Sequence, residues 1–283
     1  MCSAASPSLD ATGQQKQHPY TYRPGCLLAL IASVLLTACG PSGLPDNLVE
    51  DPGVMMQRLT PTPAKDTFFA AGRLEYYAEG KARKGKVEIM ARPPHSVRMH
   101  VLTFTDDLLS LLAINGEYFT YFERGAKTCF MGPMCAAPLV SRVPMVSKPA
   151  VLLRLLEGKV PLLEEPDRSA LTFHKADGQY KLVLEKGDHV QTLSIAADGQ
   201  TLQKATMKRA GETLFSVSFK GKIETGGKTV PKRMRLISTS PTADLSFEYR
   251  EVEYGLQFKG DPFSYECPRG TETRYLVCEE EAK

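Results

Sequence analysis

The chain has 283 residues, and its 35 lysines and arginines against 32 aspartates and glutamates give a formal net charge of only +3. Such a balance, without a cluster of basic residues, argues against a nucleic-acid-binding protein. Hydrophobic residues make up 42% of the chain, which is enough for a large core. The absence of tryptophan excludes a tryptophan anchor at a membrane interface.

The first distinctive stretch is an apolar run that begins at Cys26 and ends at Ala38, directly before Cys39. Lys16 and Arg23 are the only basic residues that precede it. The run has the length of the apolar region of a secretory signal and is shorter than the roughly 20 residues that a membrane-spanning helix needs. The pattern therefore predicts an exported protein.

The end of this run, Leu36-Thr37-Ala38-Cys39, resembles the lipobox of bacterial lipoproteins. The resemblance implies a signal peptide over residues 1–38 and acylation of Cys39, which becomes the first residue of a membrane-anchored chain. Gly40 follows instead of an aspartate, which by the same resemblance favours the outer membrane, with the protein facing the periplasm. The alternatives are an ordinary cleavable signal and a buried helix with an incidental cysteine.

Four further cysteines remain, and they fall into two close pairs: Cys129, Cys135, Cys267 and Cys278. An even number of cysteines in an oxidising compartment predicts two disulfides, and sequence proximity favours bonds within each pair among three possible connectivities. A metal site is the alternative. The spacings match no zinc pattern and no histidine is close in sequence, so we expect neither metal nor cofactor.

The segment from Gly40 to Lys65 is rich in proline and glycine and is typical of a tether. A short helix is predicted within it over 51–59, with Asp51 as N-cap and Pro52 in the first turn. Such a helix would pack across the mouth of a barrel or simply form part of the linker. The predicted units are thus the leader 1–38, a lipidated tether 39–66 and a folded domain 67–283.

From Phe68 onward, apolar and polar residues alternate with a period of two, which predicts strands with one buried face. The Asn115-Gly116 pair predicts a hairpin between strands over 108–114 and 118–122. Because these two strands are apolar on both faces, we expect them to be covered on both sides.

The region from Glu123 to Lys148 lacks this alternation and is predicted as a break that holds a small apolar loop. A helix capped by Ser147 is expected next, with one apolar stripe, and it is stopped by Gly158 and Pro161. The stripe consists of Val151, Leu152, Leu155 and Leu156. A single amphipathic helix among strands is typical of a plug or lid.

Alternation resumes at Leu171 and continues to Phe258, with turns about every 8–12 residues. Such spacing predicts an antiparallel meander that curls to protect its edges. The fold class is therefore mainly β: a strongly curved, half-open antiparallel β-barrel of about ten or eleven strands with a small helical lid.

The order of these elements resembles the LolA/LolB-like family of lipoprotein-localisation proteins over roughly residues 51–270. The resemblance rests on the short helix over 51–59 and on six further stretches, which are residues 68–74, 115–118, 149–158, 229–234, 253–254 and 261–270. It implies an unclosed, curved sheet with a helical lid, whose apolar cavity binds lipid or the acyl chains of lipoproteins without covalent chemistry. The partners that it implies are the membrane, through the anchor, and lipid or lipoproteins.

Strand parity assigns a set of side chains to this cavity. The set is Leu74, Tyr76, Val87, Ile89, Val97, Met99, Val101, Leu152, Leu155, Phe215, Val217, Phe247 and Tyr249. By resemblance, Phe104 would lie in the loop that delivers cargo to the membrane. Asp106 and Asp107 beside it are unfavourable near the acyl region of a bilayer, which weakens lipoprotein insertion as a function.

No catalytic signature is present in the sequence, which has no G-x-S-x-G, H-E-x-x-H or phosphate-binding glycine loop. The histidines at 95, 100, 174 and 189 are scattered over predicted strands and turns. We therefore expect a binding protein and no enzyme. The alternative is an assembly or sensor subunit of an envelope complex, which would have an envelope protein as its partner.

Overall fold

The computed structural model describes residues 47–60, 65–78, 80–137, 148–239 and 242–278. The predicted leader and Cys39 lie outside the described residues. Within the described ranges, no helix combines the length and the apolar character that a membrane span requires.

Strands dominate these ranges. They are β1 Phe68–Ala78, β2 Lys81–Arg92, β3 Ser96–Leu102, β4 Leu108–Asn115, β5 Tyr118–Glu123, β6 Thr128–Pro133, β7 Arg168–His174, β8 Gln179–Lys186, β9 His189–Ala196, β10 Leu202–Arg209, β11 Glu212–Thr225, β12 Lys228–Thr239, β13 Thr242–Tyr254 and β14 Glu272–Tyr275. The helices are α1 Pro52–Leu59, α2 Pro149–Leu156 and the short 3-10 helix Met134–Ala136.

All fourteen strands form one open sheet in the order β14-β6-β5-β4-β3-β2-β1-β13-β12-β11-β10-β9-β8-β7. Neighbouring strands are antiparallel except β14, which runs parallel to β6. The pairing of β1 with β13 joins the two halves of the meander. The predicted mainly-β, half-open architecture is confirmed, although the predicted count of ten or eleven strands is too low.

Two strands that the sequence did not predict lie at one edge of the sheet. The region predicted as a break contains β6, which pairs with β5 and places Phe130 opposite Tyr121. The C-terminal strand β14 then pairs with β6 and places Thr273 opposite Cys129. Both strands are short, and β14 depends on a partner that lies far away in sequence, so local alternation did not reveal them.

The disulfides connect this edge to the C-terminal segment. Cys129 is bonded to Cys267 and Cys135 to Cys278, with Cα–Cα distances of 5.9 and 5.5 Å. The pairing favoured by sequence proximity is therefore wrong. Because β14 runs alongside β6, the cysteines of the C-terminal segment lie next to those of the edge strand instead of next to each other.

The sheet has an inner face that holds the main core. Cross-strand neighbours on this face include Leu74 with Phe247 and Val87 with Val101. Both helices contribute to the same core, since Met55 of α1 is fully buried and Leu155 of α2 is 1% exposed. The inner face is therefore partly covered by helices, as a lid would cover it.

The N-cap predicted from the sequence is confirmed for α1 and is wrong for α2. The Asp51 carboxylate accepts a hydrogen bond of 2.7 Å from the Gly53 amide, as expected of an N-cap. In α2 the N-cap is Lys148, whose side chain makes no capping hydrogen bond. The predicted cap Ser147 is wrong by one position, and Ser147 itself lies outside the described residues.

The outer face carries a second, smaller core at the β4–β6 end. Leu111, Ala113, Phe122 and Cys129 are buried there against the C-terminal segment, which contributes Tyr265 and other side chains. The inner-facing residues of the same strands belong to the main core. The expectation that these strands are covered on both faces is confirmed.

Candidate functional site

Burial on the inner face changes along the strands. In β1, Phe68 and Ala70 are at most 3% exposed, whereas Leu74 and Tyr76 further along the strand are half-buried. In β3, Val97 is fully buried and Val101 is half-buried. One end of the inner face is therefore closed, and the other reaches solvent.

The half-buried residues at this end of the face form a row between β3 and β10, with members on five of the seven strands that the sheet order places there; we call this row the open end. It consists of Val101 on β3, Leu74 and Tyr76 on β1, Leu245 on β13, Phe215 on β11 and Met207 on β10. The pairings Tyr76–Leu245 and Phe215–Met207 place these side chains on one surface. The named side chains are apolar apart from the Tyr76 hydroxyl and can contact hydrocarbon, whereas the strands between them contribute Arg83 beside Tyr76 and Ser238 beside Phe215.

The helices cover the closed end, and the chain that follows α2 runs on to Gln191, which is paired with Met207 of the open end. The Tyr249 hydroxyl donates a hydrogen bond to the Leu156 carbonyl, and burial raises the pKa of Tyr249 well above its ordinary value. The Gln191 amide donates to the Pro161 carbonyl and accepts from the Leu163 amide, both at 2.8 Å. Gln191 is 1% exposed, so these two bonds satisfy a buried polar group and hold the covering segment in place.

The residues assigned to a cavity by strand parity all lie on the inner face or on the helix that covers it, in two groups. Leu74, Tyr76, Met99, Val101 and Phe215 are half-buried. Val87, Ile89, Val97, Leu152, Leu155, Val217, Phe247 and Tyr249 are at most 6% exposed and belong to the packed core. Ligand contact by any of them stays a prediction, and the structure adds Met207 and Leu245 to the open group.

Sequence reasoning missed Met207, Leu245 and Gln191. For the first two, a signal was present, because Leu245 alternates with polar neighbours and Met207 alternates with Thr206 and Lys208. For Gln191, none was present, since its partners come from a loop about thirty residues earlier in the chain.

Phe104, predicted to lie in a cargo loop, is 58% exposed between β3 and β4. Its ring lies 5.8 Å from the Arg73 guanidinium. The neighbouring acidic residues are tied to the sheet by ion pairs, Asp106 with Lys86 at 2.6 Å and Asp107 with Arg124 at 3.5 Å. A role for this loop in cargo delivery stays a prediction.

The titratable side chains do not converge on a catalytic arrangement in the described part of the chain. His100 lies near Glu88, with 3.7 Å between Nδ1 and Oε2, and His189 lies 2.8 Å from Asp188 on another strand connection. No group of three histidine, cysteine, aspartate or glutamate side chains is suited to hold a metal ion among the described residues.

A cleft of about 820 Å³ lies between β10 and β11, away from the open end. It is lined by charged side chains at its rim and by Leu202, Phe219 and Val230 of the main core. It is the second feature of the molecule with the geometry of a binding site.

Comparison with known proteins gives similarities to solved structures. No family model and no curated protein matches the sequence. The fold is similar to a LolA superfamily protein from Nitrosomonas europaea, with 11% identity, a TM-score of 0.49, and coverage of 77% of this chain and 99% of that one.

Two further similar structures have comparable values. One is a protein domain named for outer membrane lipoprotein sorting, from Vibrio parahaemolyticus, with 9% identity, a TM-score of 0.47, and coverage of 75% of this chain and 93% of that one. The other is a DUF1329 family protein from Desulfovibrio piger, with 10% identity, a TM-score of 0.43, and coverage of 76% and 94%. The chain thus has LolA-like proteins among its structural neighbours, as its element order predicted, and its function has to be inferred from its own geometry.

Proposed function

We propose that this protein is a lipid-anchored envelope protein that binds the acyl chains of lipid or of lipoproteins at the open end of its inner face. The observation that carries the proposal is the set of apolar side chains from Val101 to Met207, which stay half-buried while the residues at the opposite end of the same strands, such as Ala70 and Val97, are fully buried. A group of apolar side chains that a folded chain leaves partly in water is typical of a site for an apolar ligand.

The physical basis of binding is the removal of hydrocarbon from water. An acyl chain gains about 0.8 kcal/mol for each CH₂ group that it buries, so about ten buried methylenes correspond to micromolar affinity. The row offers aliphatic, aromatic and methionine side chains, which adapt to chains of different length. Selectivity for one acyl chain over another is not expected from such a surface.

The proposed role as a carrier or acceptor depends on the anchor. Acylation of Cys39 would hold the sheet beside its membrane. Gly40, the residue after the cysteine, favours the outer membrane as the location. A protein held there would exchange acyl chains with the bilayer or with lipoproteins and would need no catalysis.

The test is native mass spectrometry of the full chain, purified from membranes in mild detergent, for noncovalently bound lipid. We expect bound lipid in the wild type and its loss in Leu74→Gln/Phe215→Gln, because two amides in the row disfavour hydrocarbon. The matched control is Ile237→Gln, since Ile237 is half-buried on the outer face, opposite Ser216. Absence of lipid from the wild type, or equal amounts in all three proteins, would contradict the proposal.

The second candidate is an assembly or sensor subunit, which the C-terminal edge favours. Tyr275 on β14 is 77% exposed and Val277 is 80% exposed, next to a strand whose outer edge is unpaired among the described residues. Such an edge accepts a strand from a partner protein. A photo-crosslinker at position 275 of the full chain should then give one defined adduct in the cell envelope, and a lack of any adduct would oppose this candidate.

A further inference from the structure

The cleft between β10 and β11 exists because the two strands separate. Their pairing ends at Lys204 and Ser218, although β11 continues to Thr225 with β12 as its only partner in the described chain. The turn between β9 and β10 and the residues after α2 form the other walls. We call this opening of about 820 Å³ the β10–β11 cleft.

The rim of the β10–β11 cleft is basic. Its charged lining consists of Lys159, Lys204, Lys220, Lys222, Glu157 and Asp198. Lys159 pairs with Glu157 at 3.5 Å and Lys222 with Asp198 at 3.4 Å. Within the described residues, Lys204 and Lys220 have no carboxylate at salt-bridge distance, so the cleft carries two surplus positive charges.

Asp198 makes its ion pair with Lys222 and is at salt-bridge distance from neither Lys204 nor Lys220 among the described residues. Its carboxylate accepts hydrogen bonds from the amides of Gln200 and Thr201 at 2.9 and 2.8 Å, in addition to the contact with Lys222. Burial by itself would raise the pKa of Asp198, but the hydrogen bonds from Thr201 and Gln200 and the charge of Lys222 outweigh burial and lower it.

A neighbouring depression on the outer face differs from the cleft, because its arginine charges are paired with carboxylates. It shares Ser218 and Lys220 with the cleft, and it also contains two arginines. There Arg233 is paired with Glu248 at 3.0 Å and Arg235 with Asp244 at 2.5 Å. The arginine charges are compensated within the sheet, whereas those of Lys204 and Lys220 are available to a ligand.

The floor of the β10–β11 cleft is apolar. Leu202, Phe219 and Val230 are 7%, 6% and 1% exposed and belong to the main core, yet each of them lines the cleft. A small inorganic anion would contact only the lysines. A ligand that carries both a phosphate and hydrocarbon would use the rim and the floor together.

The cleft also lies close to the point where the proposed tether joins the sheet. The Val49 amide donates to the Tyr180 hydroxyl at 3.1 Å, and a Cβ atom at Gly199 would lie 3.9 Å from Val49 Cγ2. Gly199 is in the turn that forms one wall of the cleft. Cys39 precedes Val49 by ten residues, which span at most about 35 Å when fully extended, so acylation of Cys39 would limit how far Val49 can lie from the membrane.

We propose that the β10–β11 cleft binds the phosphate headgroup of a membrane lipid. Lys204 and Lys220 contact the phosphate, and Leu202 and Phe219 contact the glycerol backbone and the first methylenes. This assignment goes beyond the proposed function, since the cleft is a second site that lies away from the open end. Ammonium–phosphate contacts of this kind are charge-assisted and stronger than neutral hydrogen bonds.

The test compares the binding of three soluble probes to the full chain by calorimetric titration. The chain is first freed of bound lipid and is held in nanodiscs that contain no detergent and consist of a neutral glycolipid without phosphate. The probes are dioctanoyl phosphatidic acid, dioctanoylglycerol and inorganic phosphate. We expect the phosphatidic acid to bind and Lys204→Gln/Lys220→Gln to weaken it by about tenfold or more. The control is Lys181→Gln/Lys259→Gln, which removes two exposed lysines outside the cleft and should leave affinity unchanged.

Three outcomes would overturn the assignment. Equal affinity of phosphatidic acid for the cleft variant and the control would exclude the two lysines as headgroup contacts. Binding of inorganic phosphate as tight as that of phosphatidic acid would show a free-anion site with no use of the apolar floor. Binding of dioctanoylglycerol as tight as that of phosphatidic acid would show that no headgroup is recognised, and this last result would leave the proposed acyl-chain function intact.

Discussion

Gly72 lies where β1 passes closest to β13, beside a bulge in the pairing of these strands. A Cβ atom there would overlap the Glu248 carbonyl oxygen and lie 2.9 Å from Phe247 Cε2. Because the backbone of the partner strand would have to move, Gly72→Ala should lower the free energy of unfolding by about 2 kcal/mol or more. Urea denaturation measures this change.

The control for that substitution is Gly125→Ala. A Cβ atom at Gly125 would have no atom within 4 Å, so the expected change is within about 0.5 kcal/mol. If both substitutions changed the free energy of unfolding equally, the close approach of β1 and β13 would not be the reason why position 72 requires glycine.

His100 predicts a pH dependence of stability. Burial, followed by the charge of Arg98, lowers the pKa of His100, and Glu88 opposes both. Arg98 Nε donates to His100 Nε2 at 2.6 Å, which requires that nitrogen to be unprotonated. Since the folded-state pKa lies below the unfolded value of 6.5, the neutral imidazole stabilises the fold fully above pH 6.5, and this contribution declines as the pH falls below that value.

Urea denaturation at a series of pH values above and below 6.5 measures the contribution of His100 to the free energy of unfolding. The His100→Gln variant should lose less stability on acidification than the wild type, whereas His174→Gln, at an exposed position of β7, should follow the wild type. Parallel curves for all three proteins would contradict the account. Arg98 also donates to the Pro262 carbonyl at 2.7 Å, so protonation of His100 is expected to loosen the C-terminal segment first.

Among the elements, those with a local signal were predicted and those without one were not. The Asn115-Gly116 turn, the Asp51 cap and the alternation in β1 are all local, and the structure contains them. In contrast, β14 exists only because β6 offers an edge far away in sequence. Disulfide connectivity failed for the same reason, since it follows from which strands become neighbours.

The two disulfides should differ in reactivity. Cys135 and Cys278 are both exposed, whereas Cys129 is fully buried in the outer core. Mild reductant followed by alkylation and peptide mapping should therefore modify positions 135 and 278 first, because a thiol must reach the sulfur to exchange. Unreduced peptides that link 129 with 135 would contradict the connectivity itself.

The helix α1 is predicted to be part of the fold rather than of a loose tether. Met55 is fully buried, and Val54 on the same helix is 41% exposed. Met55→Ala should lower the free energy of unfolding by about 2–4 kcal/mol through the cavity that it leaves. Val54→Ala should change it by less than about 1 kcal/mol, and an equally small effect of Met55→Ala would mean that the helix detaches from the sheet.

At the scale of the whole molecule, period-two alternation was sufficient to identify the inner face. Every strand residue assigned to the cavity lies on that face, because a consistent register preserves parity from strand to strand. Alternation does not predict how the helices cover the face, and so it did not separate Val87 in the packed core from Leu74 at the open end. That separation depends on tertiary packing.

The central claim is that hydrocarbon binds at the open end of the inner face. Photo-crosslinking of the full chain with a fatty acid that carries a diazirine at its chain terminus tests it most directly. The account predicts adducts in peptides that contain Leu74, Val101, Phe215 and Leu245, and none on the outer face around Ile237. Adducts confined to the outer face, or spread evenly over both faces, would contradict it.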